Sequence, residues 1–409
     1  VTDTPVSVII VSRGRPDALA LCLEGVTRLD HPRYEIVVVA DPEGTGAIAR
    51  WKDRIKARVF DEANIARARN IGIGLAAGDI VAFIDDDAVP EPTWLRHLTA
   101  PFADGVVAAA GGRVIGRNGI SVQWGASAVD RFGQRLPLPE DDLQTSVHRG
   151  EVGRGIKTEG TNMAFRRDVL TRIGGFDEGF AWYLDETDVN LRLGALGLST
   201  AIVPGAQVHH GFAPSDRRRA DRVPRDLSRI GASVAIFLRK HGTDPAMRAK
   251  AERDAQRQRL LTHMVAGRIE PRDVGRLLRG FDEGWAKGLA HVALPAPDFS
   301  VPPPAFLAFA LARTGRHVVL PARPWQAKAI MAKAAALAAQ GETVTVIRLS
   351  PSALFHRVRF QPEGFWLQTG GLFGRSLRSD PLFRPWRFGD RVRREVARVA
   401  PVRGRPDLP

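Results

Sequence analysis

The 409-residue sequence has one cysteine, Cys22, so it can form neither an internal disulfide nor a cysteine-rich metal site. It lacks any apolar run near the ~18 residues that a membrane-spanning helix needs. No signal peptide precedes the strand-like residues 5–11, and a cytoplasmic protein is expected. Repeats of solenoid length are absent. So are zinc-finger spacings and the aromatic signature of RNA-binding folds. Acidic residues are in the minority: 59 Lys and Arg against 45 Asp and Glu leave a net charge of +14. That excess calls for an anionic partner, and most of it lies after residue 210. Hydrophobic residues make up 44% of the chain, enough for a core in each of two or three domains.

What is present is most concentrated at residues 78–87. Ile80–Ile84 is a short run of Ile, Val and Phe that reads as a buried strand. Asp85, Asp86 and Asp87 follow at its carboxyl end, where open α/β sheets bind ligands. Three adjacent carboxylates repel one another and favour a cation between them. Mg²⁺ suits such a site, because it completes its shell with waters and substrate phosphates. A solvated acidic turn is the other reading of this stretch taken alone.

Around it the pattern alternates. Residues 5–11 read as a first strand, which turns through Ser12-Arg13-Gly14-Arg15-Pro16 into a helix carrying Leu19, Leu23 and Val26. Tyr34–Ala40 is a second strand, 57–60 a third, and Asn64–Ala77 a helix closed by Gly78. This succession predicts a doubly wound α/β sheet. Gly72-Ile73-Gly74-Leu75-Ala76-Ala77 matches the dinucleotide fingerprint, but it closes a helix instead of following a strand, so NAD and FAD are rejected. Residues 90–102 read as a capped helix, 106–115 as a strand and 116–156 as a long loop over a site. Asp185-Glu186-Thr187-Asp188 opens a helix, and a strand over 198–203 precedes Val208-His209-His210. Beyond 213 the chain is Arg-rich (Arg217, Arg218, Arg219, Arg222, Arg225, Arg229), then helical over 226–290. A linker with five prolines spans 295–304, and 305–350 reads as helix, strand, helix, strand. The remainder is weakly patterned.

Four stretches, in this order, resemble the family 2 glycosyltransferases, inverting nucleotide-sugar enzymes of the GT-A fold. They are Val6–Arg13; Asn64–Gly72 leading into Ala82–Asp87; Glu159–Arg167 with Ile173-Gly174-Gly175-Phe176-Asp177; and Asp185-Glu186-Thr187-Asp188 with Leu191-Arg192. The resemblance covers about residues 5–215. It implies a doubly wound, mixed GT-A sheet in residues 1–213. An Arg-rich helical region over 214–294 and a basic extension over 295–409, α/β or mostly helical, are expected to follow.

The resemblance also implies a reaction: inverting transfer of a sugar from a nucleotide-diphosphate donor to a hydroxyl of a glycan or lipid-linked acceptor. Asp85 and Asp87 take the D-x-D positions, implying contacts with Mg²⁺ or Mn²⁺ and with the ribose–phosphate, with Asp86 between them. A divalent ion neutralises the charge growing on the leaving diphosphate. Ser12, Arg13 and Arg69 fall where nucleotide or diphosphate contacts are expected, although a helix-borne surface arginine is the other reading of Arg69. Asp41 matches an acid that contacts base or ribose, with Pro42 in place of the usual Asn or Asp. Gly160 and Asn162 match the segment lining the sugar and acceptor pocket. His209 or His210 matches a histidine that some relatives use as a further metal ligand, and imidazole suits Mn²⁺. The acceptor hydroxyl needs a base, and a carboxylate suffices. The family order is Glu-Asp where this chain has Asp185-Glu186; by alignment Glu186 is the base, with Asp185 its competitor.

Two other classes share parts of this pattern. A nucleotidyltransferase on a related fold would want a Gly-rich basic loop after the first strand, where Gly14 stands with Arg13 and Arg15. A basic nucleic-acid- or membrane-binding protein with a non-catalytic domain is the other, but the acidic cluster argues against nucleic acid at that face. The basic region after 213 is expected to dock on an anionic membrane, peripherally on its inner face, or on a phosphorylated, lipid-linked acceptor. Simple packing against the first domain is the alternative.

Overall fold

The computed structural model describes residues 3–139, 141, 144–211, 216, 218, 219, 221–310 and 315–407. The expected 213/214 boundary and Arg217 lie outside them. β1 (Val6–Ser12) and β2 (Tyr34–Ala40) are buried along their whole length, as runs of branched residues are when both sheet faces are covered. β3 (Lys56–Val59) pairs with β2 at one edge, and β4 (Ile80–Asp85) pairs in parallel with β1. The chain continues through β5 (Ala88–Pro90), β6 (Val107–Ile115) and β7 (Val122–Trp124). β8 (Ser127–Asp130), β9 (Arg135–Pro137), β10 (Ser146–Arg149), β11 (Arg154–Ile156), β12 (Met163–Arg166) and β13 (Ser199–His210) follow. One ten-stranded mixed sheet results, ordered β10-β13-β6-β12-β4-β1-β2-β3, with β5 and β7 on its margins. β12 runs antiparallel between β4 and β6.

Helices cover both faces. α1 (Pro16–Val26), α2 (Pro42–Ala47), α3 (Ile65–Leu75), α4 (Trp94–Thr99), α5 (Arg167–Arg172) and α6 (Asp185–Ala195) alternate with the strands. Leu19, Leu23, Trp94 and Leu98 fill one side, and Ala66, Ile73, Phe83, Phe176 and Val189 the other.

Several local expectations change. Residues 116–156 are not one loop but carry β7 to β11, three of which form a small antiparallel sheet. Strands of three or four residues are too short to leave a readable alternation. The helix expected over 90–102 begins only at Trp94, with no side-chain cap, because Pro90 belongs to β5. The strand expected over 198–203 runs on to His210 after a register shift between Val203 and Gln207.

After the first sheet come α7 (Ser228–Lys240), α8 (Pro245–Val265) and α9 (Pro271–Ala290). α7 and α9 touch backbone to backbone: a Cβ on Gly284 would lie 1.8 Å from the Ser228 carbonyl oxygen. Their core includes Phe180, Leu184 and Leu191, so these helices buttress the approach to α6. Residues 305–310 are extended where a helix was expected; Phe309 packs on Tyr34 and Trp51, and the Leu307 amide donates to Glu35. Residues 311–314 lie outside the described residues.

The weakly patterned end folds as α/β. β14 (His317–Ala322), α10 (Ala327–Ala339), β15 (Thr343–Ser350), β16 (Arg357–Phe360), β17 (Trp366–Gly371), α11 (Phe388–Arg403) and β18 (Pro406–Asp407) follow in order. The sheet order is β16-β17-β15-β14-β18, with only β16 antiparallel. α11 packs on one face and α10 on the other. This unit joins the first through Arg403, which binds Glu91, and Trp366, which stacks on His209.

Candidate active site

β4 delivers its three carboxylates at the carboxyl end of the sheet, and they diverge. Asp86 turns inward: it is fully buried, accepts a hydrogen bond from Ser12 Oγ at 2.6 Å, and lies 2.5 Å from Arg15 Nη2. Burial raises its pKa to about 7 despite the arginine. Asp87 takes Arg15 Nη1 at 3.1 Å on one oxygen and faces His210 Nε2 at 3.3 Å with the other. Asp85 is the most open of the three and accepts from Thr161 Oγ1 at 2.5 Å.

Asp85, Asp87 and His210 each offer one ligand atom, all within 4.8 Å of one another. These residues could hold a divalent metal. His210 Nδ1 lies 3.2 Å from Gln123 Oε1, where its proton is best placed. Nε2 faces the Asp87 oxygen, so imidazole and carboxylate can converge on one cation. Two carboxylates and an imidazole suit Mg²⁺ or Mn²⁺ by donor chemistry.

A second acidic pair stands at the start of α6. Tyr183 and Leu184 have φ of 79° and 70°, a left-handed reversal that costs on the order of 1–3 kcal/mol per non-glycine residue. Burial of Leu184 among Phe180 and Phe237 holds it. The reversal leaves Asp185 and Glu186 in the first helical turn, where the helix dipole favours acids.

Arg69 ties the two acidic groups together. Its buried guanidinium donates to Asp185 Oδ2, to Asp85 at 3.4 Å and to the Gly160 carbonyl at 3.2 Å. It lies 5.3 Å from the Phe176 ring centroid. Glu186 accepts from Lys157 Nζ at 2.6 Å. Against the burial that would raise it, Lys157 pulls Glu186 down to about 2. Burial and the neighbouring Glu186 charge push Asp185 the other way, against Arg69. Of this pair Asp185 therefore takes up a proton first.

The remaining expected residues scatter. Asp41 caps α2, accepting from the amides of Gly44 at 2.9 Å and Gly14 at 2.7 Å, and so splices the loops after β1 and β2. Arg13 reaches outward to Asp61; it is Arg15 that meets the carboxylates. Asn162 is fully buried and braces Trp94 Nε1 and the carbonyls of Arg113 and Ala206. A Cβ on Gly160 would lie 2.6 Å from Arg69 Nη2, so a side chain there would displace the arginine. His209 departs from the expected site. Adjacent residues of a strand point to opposite faces, and His209 turns to Glu91 at 2.8 Å and to the Trp366 ring. Only one of the two histidines can therefore meet the acids.

Sequence reasoning did not single out Gln123, Lys157 or Thr161. Gln123 lay in a segment read as loop, so its face could not be assigned. Lys157 and Thr161 flank Glu159-Gly160 and could have been found as polar neighbours of that motif.

Residues 7–174 match the family model described as Glycosyl transferase family 2. Over 238 residues the chain is 28% identical to the O-antigen biosynthesis protein RfbC of Myxococcus xanthus, covering 55% of this chain and 18% of that protein. Over 187 residues it is 29% identical to a glucosyl-dolichyl phosphate glucuronosyltransferase of Haloferax volcanii, covering 42% of this chain and 56% of that one. The chain thus spans 18% of the length of the first relative and 56% of the second. Among solved structures, GalNAc-T7 with UDP, GalNAc and Mn²⁺ aligns at a TM-score of 0.45 and 18% identity, over 58% of this chain and 48% of that one.

Proposed function

Because residues 7–174 belong to glycosyl transferase family 2, we propose that the chain transfers a sugar, with inversion, from a nucleotide-diphosphate donor to an acceptor hydroxyl. The observation that carries this reading is the joining, through Arg69, of the Asp85–Asp87–His210 group to Asp185 and Glu186. Asp85, Asp87 and His210 would hold a divalent ion, which would supply positive charge for the departing diphosphate. The chain's own residues do the rest. Ser12 and Arg15 hold Asp86 and so set the turn that aims its neighbours. Arg69 fixes Asp185 and sets a positive charge between the two acidic groups.

Glu186 is assigned as the base that accepts the proton of the acceptor hydroxyl. Its side chain is 19% exposed against 4% for Asp185, and a base must reach the acceptor. One observation favours Asp185 instead. Its proton affinity is raised toward the working pH, where a general base is most effective.

A relative named glucosyl-dolichyl phosphate glucuronosyltransferase and another named O-antigen biosynthesis protein support a lipid-linked or envelope-glycan acceptor. No helix among the described residues is long and apolar enough to cross a membrane. Peripheral attachment to an anionic membrane face is proposed for the basic region after 213. Residues 1–213 are assigned to catalysis, 214–294 to buttressing α6, and 295–409 to the acceptor side.

The test is titration with UDP, GDP and dTDP in the presence of Mn²⁺, alongside mass spectrometry of donor-panel reactions. At least one nucleotide should bind only with metal. Glu186→Gln should abolish transfer and keep donor binding. Absence of metal-dependent binding in folded protein would sink the reading. If Asp185→Asn abolishes transfer while Glu186→Gln keeps it, the base moves by one residue.

A further inference from the structure

The turn between β6 and β7 belongs to the first sheet but is gripped by the C-terminal unit. Residues 116–121 form it: the Gly116 amide donates to the Ser121 carbonyl, and Asn118 Oδ1 accepts from the amides of Ile120 and Ser121 at 3.0 and 2.9 Å. Against its tip lies β16, the antiparallel edge strand of the second sheet. The Val358 amide donates to the Asn118 carbonyl at 2.8 Å. Gly119 has φ 71° and lies so close to Val358 that a Cβ there would collide with the Val358 carbonyl oxygen. Next to it, Ile120 is buried in one cluster with Val358 and Trp366 of the C-terminal unit and with Val89 of β5. A backbone hydrogen bond, an approach that glycine permits and a shared apolar cluster thus hold the turn from outside its own sheet.

What the turn carries gives this grip a consequence. β7 leaves it at Val122 with two side chains beside His210. Gln123 Oε1 lies 3.2 Å from Nδ1, and the Trp124 ring centroid lies 6.0 Å from that of the imidazole. β7 has three residues, and its pairing with β6 slips in register between Val114 and Ile115. So short and irregular a strand is a weak support for its own side chains. The turn that feeds it, and what holds that turn, therefore set where Gln123 stands.

We propose that β16 is a positioning element for the metal group: by clamping the β6–β7 turn it keeps Gln123 where it orients His210. Gly119, Ile120 and Val358 are then positioning residues that act through Gln123. The proposal rests on the metal-assisted reading of the site. It goes beyond that reading by giving the C-terminal unit a part in the donor half of the site as well as on the acceptor side.

The test is titration of the whole chain with Mn²⁺ alone, followed by loss of the free ion's electron paramagnetic resonance signal. Gly119→Ala pushes the turn off β16. Ile120→Ala removes the apolar part of the clamp, and serves should Gly119→Ala fail to fold. Each should weaken Mn²⁺ binding by roughly tenfold, the low end of what loss of an outer partner costs. In a Gln123→Ala background neither should weaken it further, because changes that act through one contact do not add. Val396→Ala, buried in a different cluster of the same unit, should lower the melting temperature and leave Mn²⁺ binding unchanged.

Wild-type affinity in both Gly119→Ala and Ile120→Ala would overturn the proposal. So would an equal loss with and without the Gln123 side chain, which would route the effect elsewhere. An equal loss in Val396→Ala would reduce the effect to general loosening and overturn it too. All three results leave wild-type Mn²⁺ binding intact and so spare the transferase reading. Folded wild-type protein that binds no Mn²⁺ would instead remove the metal reading and this proposal together.

Discussion

Replacing Arg403 with methionine should open the seam that presses the C-terminal unit against the first sheet. Arg403 ends α11, is buried, and holds Glu91 by two hydrogen bonds of 2.7 Å each. Its guanidinium also lies 4.3 Å from the Trp366 ring centroid. Burial by itself would raise the Glu91 pKa; Arg403 and His209 bring it down to about 2. An unfolded glutamate titrates near ~4.3, so the folded state favours the carboxylate by a little over two pKa units, or about 3 kcal/mol. The sign follows from the protons bound. Above ~4.3 Glu91 is ionised in both states and its contribution is fully present. As the pH falls toward 2 the unfolded state binds the proton first, and the contribution is lost.

Arg403→Met leaves the buried Glu91 carboxylate facing His209 without its arginine, and breaking a buried pair costs roughly 3–5 kcal/mol. The two routes agree in size. Because the chain has several packed units, one global unfolding energy is not well defined, and local opening should be read instead. Hydrogen exchange of α11 and β17 amides near neutral pH should show the loss. Adding Glu91→Gln to Arg403→Met should recover part of it, since no bare charge remains. The pH trend should also invert in the single variant, with opening becoming rarer as acid protonates Glu91. A loss under about 1 kcal/mol, or no recovery in the double variant, would refute the reasoning.

The other expectations can be checked by simpler means. Gln123→Ala removes the partner that orients His210 and should weaken Mn²⁺ binding by roughly 10- to 100-fold, whereas His209→Ala should leave it unchanged by titration. Gly284→Ala would put a methyl 1.8 Å from the Ser228 carbonyl oxygen and should cost about 1–3 kcal/mol or more in melting experiments. Gly275→Ala in the same helix meets only the Arg279 guanidinium, at 3.6 Å, and should stabilise by roughly 0.4–1 kcal/mol.

Much of the first sheet was legible from local pattern. Val6–Ser12, Tyr34–Ala40 and Ile80–Asp85 are dominated by apolar residues on both faces, as in a strand covered on both sides. The glycine fingerprint at Gly72 could be dismissed because its order relative to helix and strand was wrong. The C-terminal sheet was half legible: β14 and β15 announced themselves, whereas β16 and β17 are interrupted by Arg and Gly and did not.

Local pattern alone places three carboxylates at the end of a buried strand, a second acidic pair at the start of a helix, and the basic charge elsewhere. What each of those groups touches depends on packing. Asp86 faces inward because Ser12 at the end of β1 and Arg15 in the turn before α1 arrive beside it, and His210 rather than His209 joins the acids because the strand's alternation has a phase that sequence does not print. Arg69 becomes a bridge because α3 and the start of α6, 116 positions apart at the contact, pack on the same face of the sheet. The clamp on the β6–β7 turn brings Ile120 and Val358 together from two separate units. Periodicity along a chain reports which way a side chain points relative to its own element. The pairing of charges across elements depends on how those elements pack, and no local pattern carries that.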